Sequence, residues 1–149
     1  MTSGQWTPQN HGVVSMAPYV PTPAAGVAVA MRLAALGPDD IFADLGCGDG
    51  RLVVEAARTC RLSIGIELDE GLVAQAQRTL RLEGGQEENF RIIRGDAAEV
   101  DLRALGVTHA FVFMSPEGNE RLDPRLREMG EGVTLFPPSL RPYIPPARF

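Results

Sequence analysis

Asp44-Leu45-Gly46-Cys47-Gly48-Asp49-Gly50 (DLGCGDG) joins two stretches of different periodicity. Before it, Ile41-Phe42-Ala43-Asp44 is a short apolar run that reads as a buried strand. After it, Arg51 to Thr59 reads as a helix, with Leu52, Val53, Ala56 and Ala57 on one face. Glycine at 46, 48 and 50 lets the backbone turn sharply and approach a ligand that a Cβ would repel. Such a turn belongs at the carboxyl end of a central strand, where open α/β sheets bind their ligands.

Outward from this turn the alternation continues. Ser63–Glu67 is a second strand, and Asp69 to Leu82 a long helix with Asp69 as N-cap and Leu72, Val73, Ala76 and Leu80 inward. Gly84-Gly85 closes that helix, and Phe90–Ile93 forms a third strand leading into Gly95-Asp96-Ala97. Thr108 to Met114 (THAFVFM) is the strongest strand pattern; a helix near 119–129 carries Pro124 as a kink or new start, and 132–136 is a last strand. Upstream, Thr22 caps a helix with Pro23 at its first position, running to Leu36 and stopping at Gly37-Pro38. Strands alternating with helices predict a parallel sheet of right-handed βαβ units, an α/β fold wound on both faces. Residues 1–17 are polar and aperiodic and are expected to be loose, 18–136 to form the domain, and 137–149, with five prolines, to be an extended tail.

Composition narrows the function. The 149 residues suit one domain, and 44% hydrophobic with 22% charged residues is ordinary globular usage. Fourteen basic residues, all Arg, against nineteen acidic ones give −5, which argues against a phosphate-binding nucleic-acid surface. Cys47 and Cys60 are too few for a disulfide framework and read as reduced, buried thiols. No apolar run is long enough for a membrane span, and 1–10 show neither a signal nor a transit pattern, so the cytoplasm is the expected compartment. No metal is called for.

Charge selects the ligand. Counting a dinucleotide fingerprint G-x-G-x-x-G/A from Gly46 puts Arg51 at the last small position. Asp44 and Asp49 would also stand beside the pyrophosphate, and like charges at roughly 4 Å repel by a few kcal/mol at intermediate dielectric. An acidic turn instead suits a ligand with cationic groups and no phosphate, such as S-adenosylmethionine. Glu67, ending the second strand at the same sheet edge, is placed to accept both ribose hydroxyl protons. Asp96 is placed to accept from the adenine amino group, with the Ala97 N–H meeting a ring nitrogen.

Asp44–Gly50, Gly65-Ile66-Glu67-Leu68-Asp69 and Gly95-Asp96-Ala97 resemble the successive cofactor motifs of the class I, Rossmann-like, S-adenosylmethionine-dependent methyltransferases. Pro18–Thr22 (PYVPT), DLGCGDGRLV and Pro116-Glu117-Gly118-Asn119 resemble a subgroup of small bacterial and mitochondrial protein-lysine methyltransferases. The resemblance implies that Tyr19 and Thr22 cover the methionine end of the cofactor. It gives the amino-acid part to Asp44, Gly46, Gly48 and Asp49, the ribose to Glu67, and the adenine to Asp96 and Ala97. Met114, Ser115 and Pro116 follow the fourth strand, where the acceptor is presented. Methyl transfer from a sulfonium asks mainly for alignment in a dry pocket, and neither His11 nor His109 lies where a base is needed, so no catalytic residue is assigned.

Relatives continue past the fifth strand with an antiparallel hairpin, whereas here Phe136 leads into Pro137-Pro138. The chain therefore reads as C-terminally truncated, with five strands in the order 3-2-1-4-5 and the hairpin missing. The fifth strand is then an edge that the proline-rich tail, or a second copy in a homodimer, should cover. The leading reading is a methyltransferase acting on a protein lysine, with a mitochondrial location implied by resemblance alone. The alternatives are a cofactor-binding but weak or inactive module acting through a partner, or a small-molecule methyltransferase. A nicotinamide-dependent oxidoreductase is disfavoured by Asp44, Asp49 and Arg51.

Overall fold

A computed structural model describes residues 24–83, 86–112, 116–130, 133–135 and 147–148. The expectations for 1–23, including Tyr19 and Thr22, and for Met114 and Ser115 lie outside the described residues. In chain order the elements are α1 (Ala24–Ala34), β1 (Ile41–Leu45), α2 (Arg51–Ala57), β2 (Leu62–Glu67), α3 (Glu70–Glu83), β3 (Phe90–Arg94), β4 (His109–Val112), α4 (Pro116–Met129), β5 (Val133–Leu135) and β6 (Ala147–Arg148).

They form one sheet in the order β3-β2-β1-β4-β5-β6, parallel except for the last pair. The expected 3-2-1-4-5 order therefore holds for the first five strands and is corrected by a sixth. Ala147 and Arg148 lie opposite Leu135 and Thr134. They follow Pro145-Pro146, so consecutive backbone N–H donors return where the ladder needs them. The outer edge of β5 is thus covered by the chain itself, and no second copy is required to cover it there.

Period-2 alternation sorts the core onto two faces. Phe42 and Phe111 pack with Val27 and Ala30 of α1 and Leu52 and Ala56 of α2. Ala43, Leu45, Ile64, Ile66, Ala110 and Val112 pack on the other face, with Ala97, Leu102 and Leu122 and Leu126 of α4. A third cluster joins α2 to α3 through Val53, Val54, Ala76 and Leu80. Both faces of the sheet are covered, which is why its strands read as apolar runs.

Two element ends differ from the sequence reading. The first helix stops at Ala34, and the left-handed residue that ends it is Ala35, at φ 49°, not Gly37. Gly37 instead donates its N–H to Asp40 Oδ2 at 2.7 Å. Pro124 neither starts a helix nor stops one: α4 runs through it, and Pro124 is exposed, so the lost hydrogen bond costs little. Asp69 caps α3 as expected, accepting the Leu72 N–H at 2.9 Å. Among the described residues no helix is long and apolar enough to cross a membrane.

Candidate functional site

The bend after β1 has the left-handed backbone its glycines allow: φ is 88° at Gly46, 56° at Gly48 and 84° at Gly50. Gly50 has a second duty. A Cβ there would lie 3.1 Å from the Ala76 Cβ and 3.2 Å from its Cα, so this glycine lets α3 approach the start of α2. The bend is fastened to β2. Ile66 O accepts the N–H of Gly46 at 2.8 Å and of Cys47 at 2.9 Å.

Glu67 completes the fastening. Its Oε1 accepts the Gly48 N–H at 3.0 Å, and its Oε2 accepts those of Leu68 at 2.8 Å and Asp69 at 2.9 Å. A carboxylate has about four acceptor positions, so capacity remains on Oε1. Burial holds the Glu67 carboxyl above the usual carboxylate range despite these three N–H groups, which act in the opposite sense.

Asp44 differs from every other acid at this edge. It is 3% exposed, and among the described residues its carboxylate has no hydrogen bond and no ion pair. Burial pushes its carboxyl well above the ordinary value, and the nearby charges of Glu67 and Asp49 push it in the same direction. Asp49, by contrast, is paired: Arg51 Nε lies 3.0 Å from its Oδ1 and Nη2 2.5 Å from its Oδ2. The acidity of the bend therefore comes from Asp44 and Glu67, while Arg51 neutralises Asp49 locally. A buried acid without a partner is an unfavourable state that a cationic ligand would relieve and a pyrophosphate would worsen.

Asp96 stands at the next strand end along. Its Oδ1 accepts the Ala98 N–H at 2.9 Å, capping a short 3-10 turn at Ala97–Glu99, and Ala97 is buried at the head of that turn. Its Oδ2 receives Arg121 Nη2 from α4 at 2.6 Å. The sheet thus brings Asp44, the glycine bend, Glu67 and Asp96 to the carboxyl ends of β1, β2 and β3, in that order. Pro116 opens α4 after β4, at the same edge. His109 lies at the opposite end of the sheet, its Nδ1 3.0 Å from Thr108 Oγ1.

Two supporting residues had no assigned role in the sequence reading. Gly65 lies opposite Asp44 in the ladder, and a Cβ there would come within 2.7 Å of Cys47 Sγ, 2.8 Å of Ile92 Cδ1 and 2.9 Å of Val53 Cγ2. A glycine inside an otherwise β-branched strand was the available signal. Arg121 had none, because its partner is 25 residues away and the pairing depends on how α4 docks. Cys47 and Cys60 are free and buried as expected, and burial raises both thiols out of the reactive range.

A model of the ANTKMT methyltransferase domain matches residues 44–136. The chain is 32% identical over 121 residues to a protein-lysine N-methyltransferase of Saccharolobus islandicus (strain REY15A), covering 79% of this chain and 73% of the relative. It is 34% identical over 126 residues to an ATP synthase lysine N-methyltransferase of Caenorhabditis elegans, covering 80% of this chain and 64% of the relative. Among solved structures, an RNA methyltransferase from Salinibacter ruber in complex with S-adenosyl-L-homocysteine superimposes with a TM-score of 0.71 at 34% identity. That match covers 78% of this chain and 77% of the other.

Proposed function

We propose, from the premise that this chain belongs to the ANTKMT methyltransferase domain family, that it transfers a methyl group from S-adenosylmethionine to a lysine side chain of a protein. The observation that carries the cofactor reading is the buried Asp44 carboxylate without a partner beside a bend of three left-handed glycines. The lysine acceptor is supported by the two relatives that bear that activity in their names.

When bound, S-adenosylmethionine supplies a methyl carbon on a positively charged sulfur that leaves as a neutral thioether. The chain's own residues hold and orient. Asp44 faces the cationic amino-acid end, with the backbone of Gly46 and Gly48 and the Asp49–Arg51 pair around it. Glu67 takes the ribose with the capacity left on Oε1, and Asp96 with the Ala97 N–H takes the adenine. Tyr19 and Thr22 close over the methionine end, and Met114, Ser115 and Pro116 line the acceptor side. The acceptor amine must arrive without its proton, which goes to solvent; alignment and exclusion of water then supply most of the rate. Two reduced, buried cysteines suit a reducing compartment such as the cytoplasm.

A second reading takes its support from the RNA methyltransferase of Salinibacter ruber. A net charge of −5 weighs against it, since RNA binding draws on excess positive charge. One experiment separates the two. The full chain is incubated with methyl-labelled S-adenosylmethionine and a cell extract, and protein and RNA are separated and hydrolysed. Label in N-methyllysine supports the proposal. Label confined to nucleosides overturns the lysine acceptor, and none in either fraction, with S-adenosylhomocysteine still bound, makes the chain a binding module.

A further inference from the structure

We infer that Arg121 is a specificity-determining positioning residue that, through Asp96, makes the site select a 6-amino purine over a 6-oxo purine. The inference rests on the reading of Asp96 as the adenine partner.

The geometry is a two-point dock of α4 on the turn that follows β3. Arg121 Nη2 reaches Asp96 Oδ2 at 2.6 Å, and one helical turn later Arg125 Nε donates to Ala98 O at 2.8 Å. Asp96 Oδ1 is meanwhile held by the Ala98 N–H at 2.9 Å. Both carboxylate oxygens are therefore oriented before any ligand arrives. Each oxygen accepts about two hydrogen bonds, so both keep capacity for a purine edge.

Charge makes this a matter of selectivity. The Asp96 side chain is 6% exposed, against 41% for Arg121. A carboxylate that far from water is costly unless paired. A guanidinium does not give up its proton, so the pair keeps Asp96 charged and purely an acceptor. An acceptor suits the exocyclic amine of adenine and opposes the carbonyl that a 6-oxo purine carries at the same position. Without the guanidinium, a carboxyl in this place relieves its cost by keeping a proton, and it then donates as well as accepts. The carbonyl would no longer be refused.

The helix does not depend on Arg121 for its place. Leu122 and Leu126, both buried, pack with Ala97 and Leu102 in the core. Arg121→Met keeps the apolar stem and removes only the head group.

The test is equilibrium binding of S-adenosylhomocysteine and S-inosylhomocysteine to the full chain. Wild type should favour the amino compound by about 10-fold or more. Arg121→Met should narrow that ratio at least about fivefold, and in the variant alone the 6-oxo compound should bind more tightly as pH falls from about 8 to 6. Arg121→Gln, which keeps a donor without the charge, should narrow it too and serves if the Met variant fails to fold. An equal loss for both ligands in the variants, or no loss for either, overturns the inference and leaves the cofactor reading standing. Wild type that binds neither ligand overturns both.

Discussion

Glu67 Oε1 accepts the Gly48 N–H at 3.0 Å, so the acid that ends β2 fastens the bend that follows β1. The same carboxylate takes two further N–H groups on Oε2. It therefore shapes the bend as well as offering acceptor capacity to a ligand, and no neutral side chain can replace it. In Glu67→Gln one oxygen becomes an amide N–H₂, and at least one backbone N–H loses its acceptor. Leaving a buried donor unsatisfied costs about 1–3 kcal/mol. Thermal denaturation should show the variant melting at least ~3 °C lower, with S-adenosylhomocysteine binding weakened about 10-fold. Wild-type melting and affinity would mean that the fastening is not needed.

Asp44 sets a pH dependence whose sign is the reverse of an ordinary ion-paired acid. Its carboxyl keeps a proton to higher pH in the folded chain than in the unfolded chain, because burial and the neighbouring carboxylates oppose the charge. Between those two values the folded state binds more protons, so the ligand-free chain loses stability as pH rises through that window. Affinity for a cationic cofactor should rise over the same window. Asp44→Asn should melt ~2–6 °C higher than wild type at neutral pH, show a shallower pH slope, and lose S-adenosylmethionine binding. A variant with the wild-type slope would remove Asp44 from this role.

Gly48 has φ 56°, where a β-branched side chain is strained by about 1–2 kcal/mol or more. Gly48→Val should therefore abolish binding of S-adenosylhomocysteine in a calorimetric titration, with circular dichroism still reporting the folded sheet. Normal affinity in the valine variant would mean that the backbone here does not approach the ligand.

Gly65→Ala should be destabilising although alanine is small. The new Cβ falls within 3 Å of side-chain atoms of Cys47, Ile92 and Val53. Overpacking of this kind costs about 1–3 kcal/mol. Because Cys47 Sγ is the nearest of the three, at 2.7 Å, Cys47→Ala should recover part of the loss in the double variant. Strictly additive losses in urea denaturation would show that the two positions do not compete for one space.

The sheet was legible in the sequence because its strands alternate with helices at regular spacing, and the order of the first five strands followed. The sixth strand was not, since two residues beyond a run of prolines carry no periodicity. The candidate site was legible as residue types: Asp44, the glycines, Glu67 and Asp96 all fall at strand ends, where register alone gathers them. The partners of those residues were not legible. Local sequence placed Asp49 two residues from Arg51, yet their pairing, which removes Asp49 from the unbalanced charge of the bend, is a fact of side-chain geometry.

By itself, then, the sequence determined the architecture and the edge at which a ligand must sit, because periodicity and glycine act over a few residues. Only the tertiary structure decided which acid lies buried without a partner, which one fastens the bend, and that Arg121 reaches Asp96. Those are matters of burial and of contact between residues distant in the chain, and they arise when α4 and the three acidic strand ends pack against the same sheet.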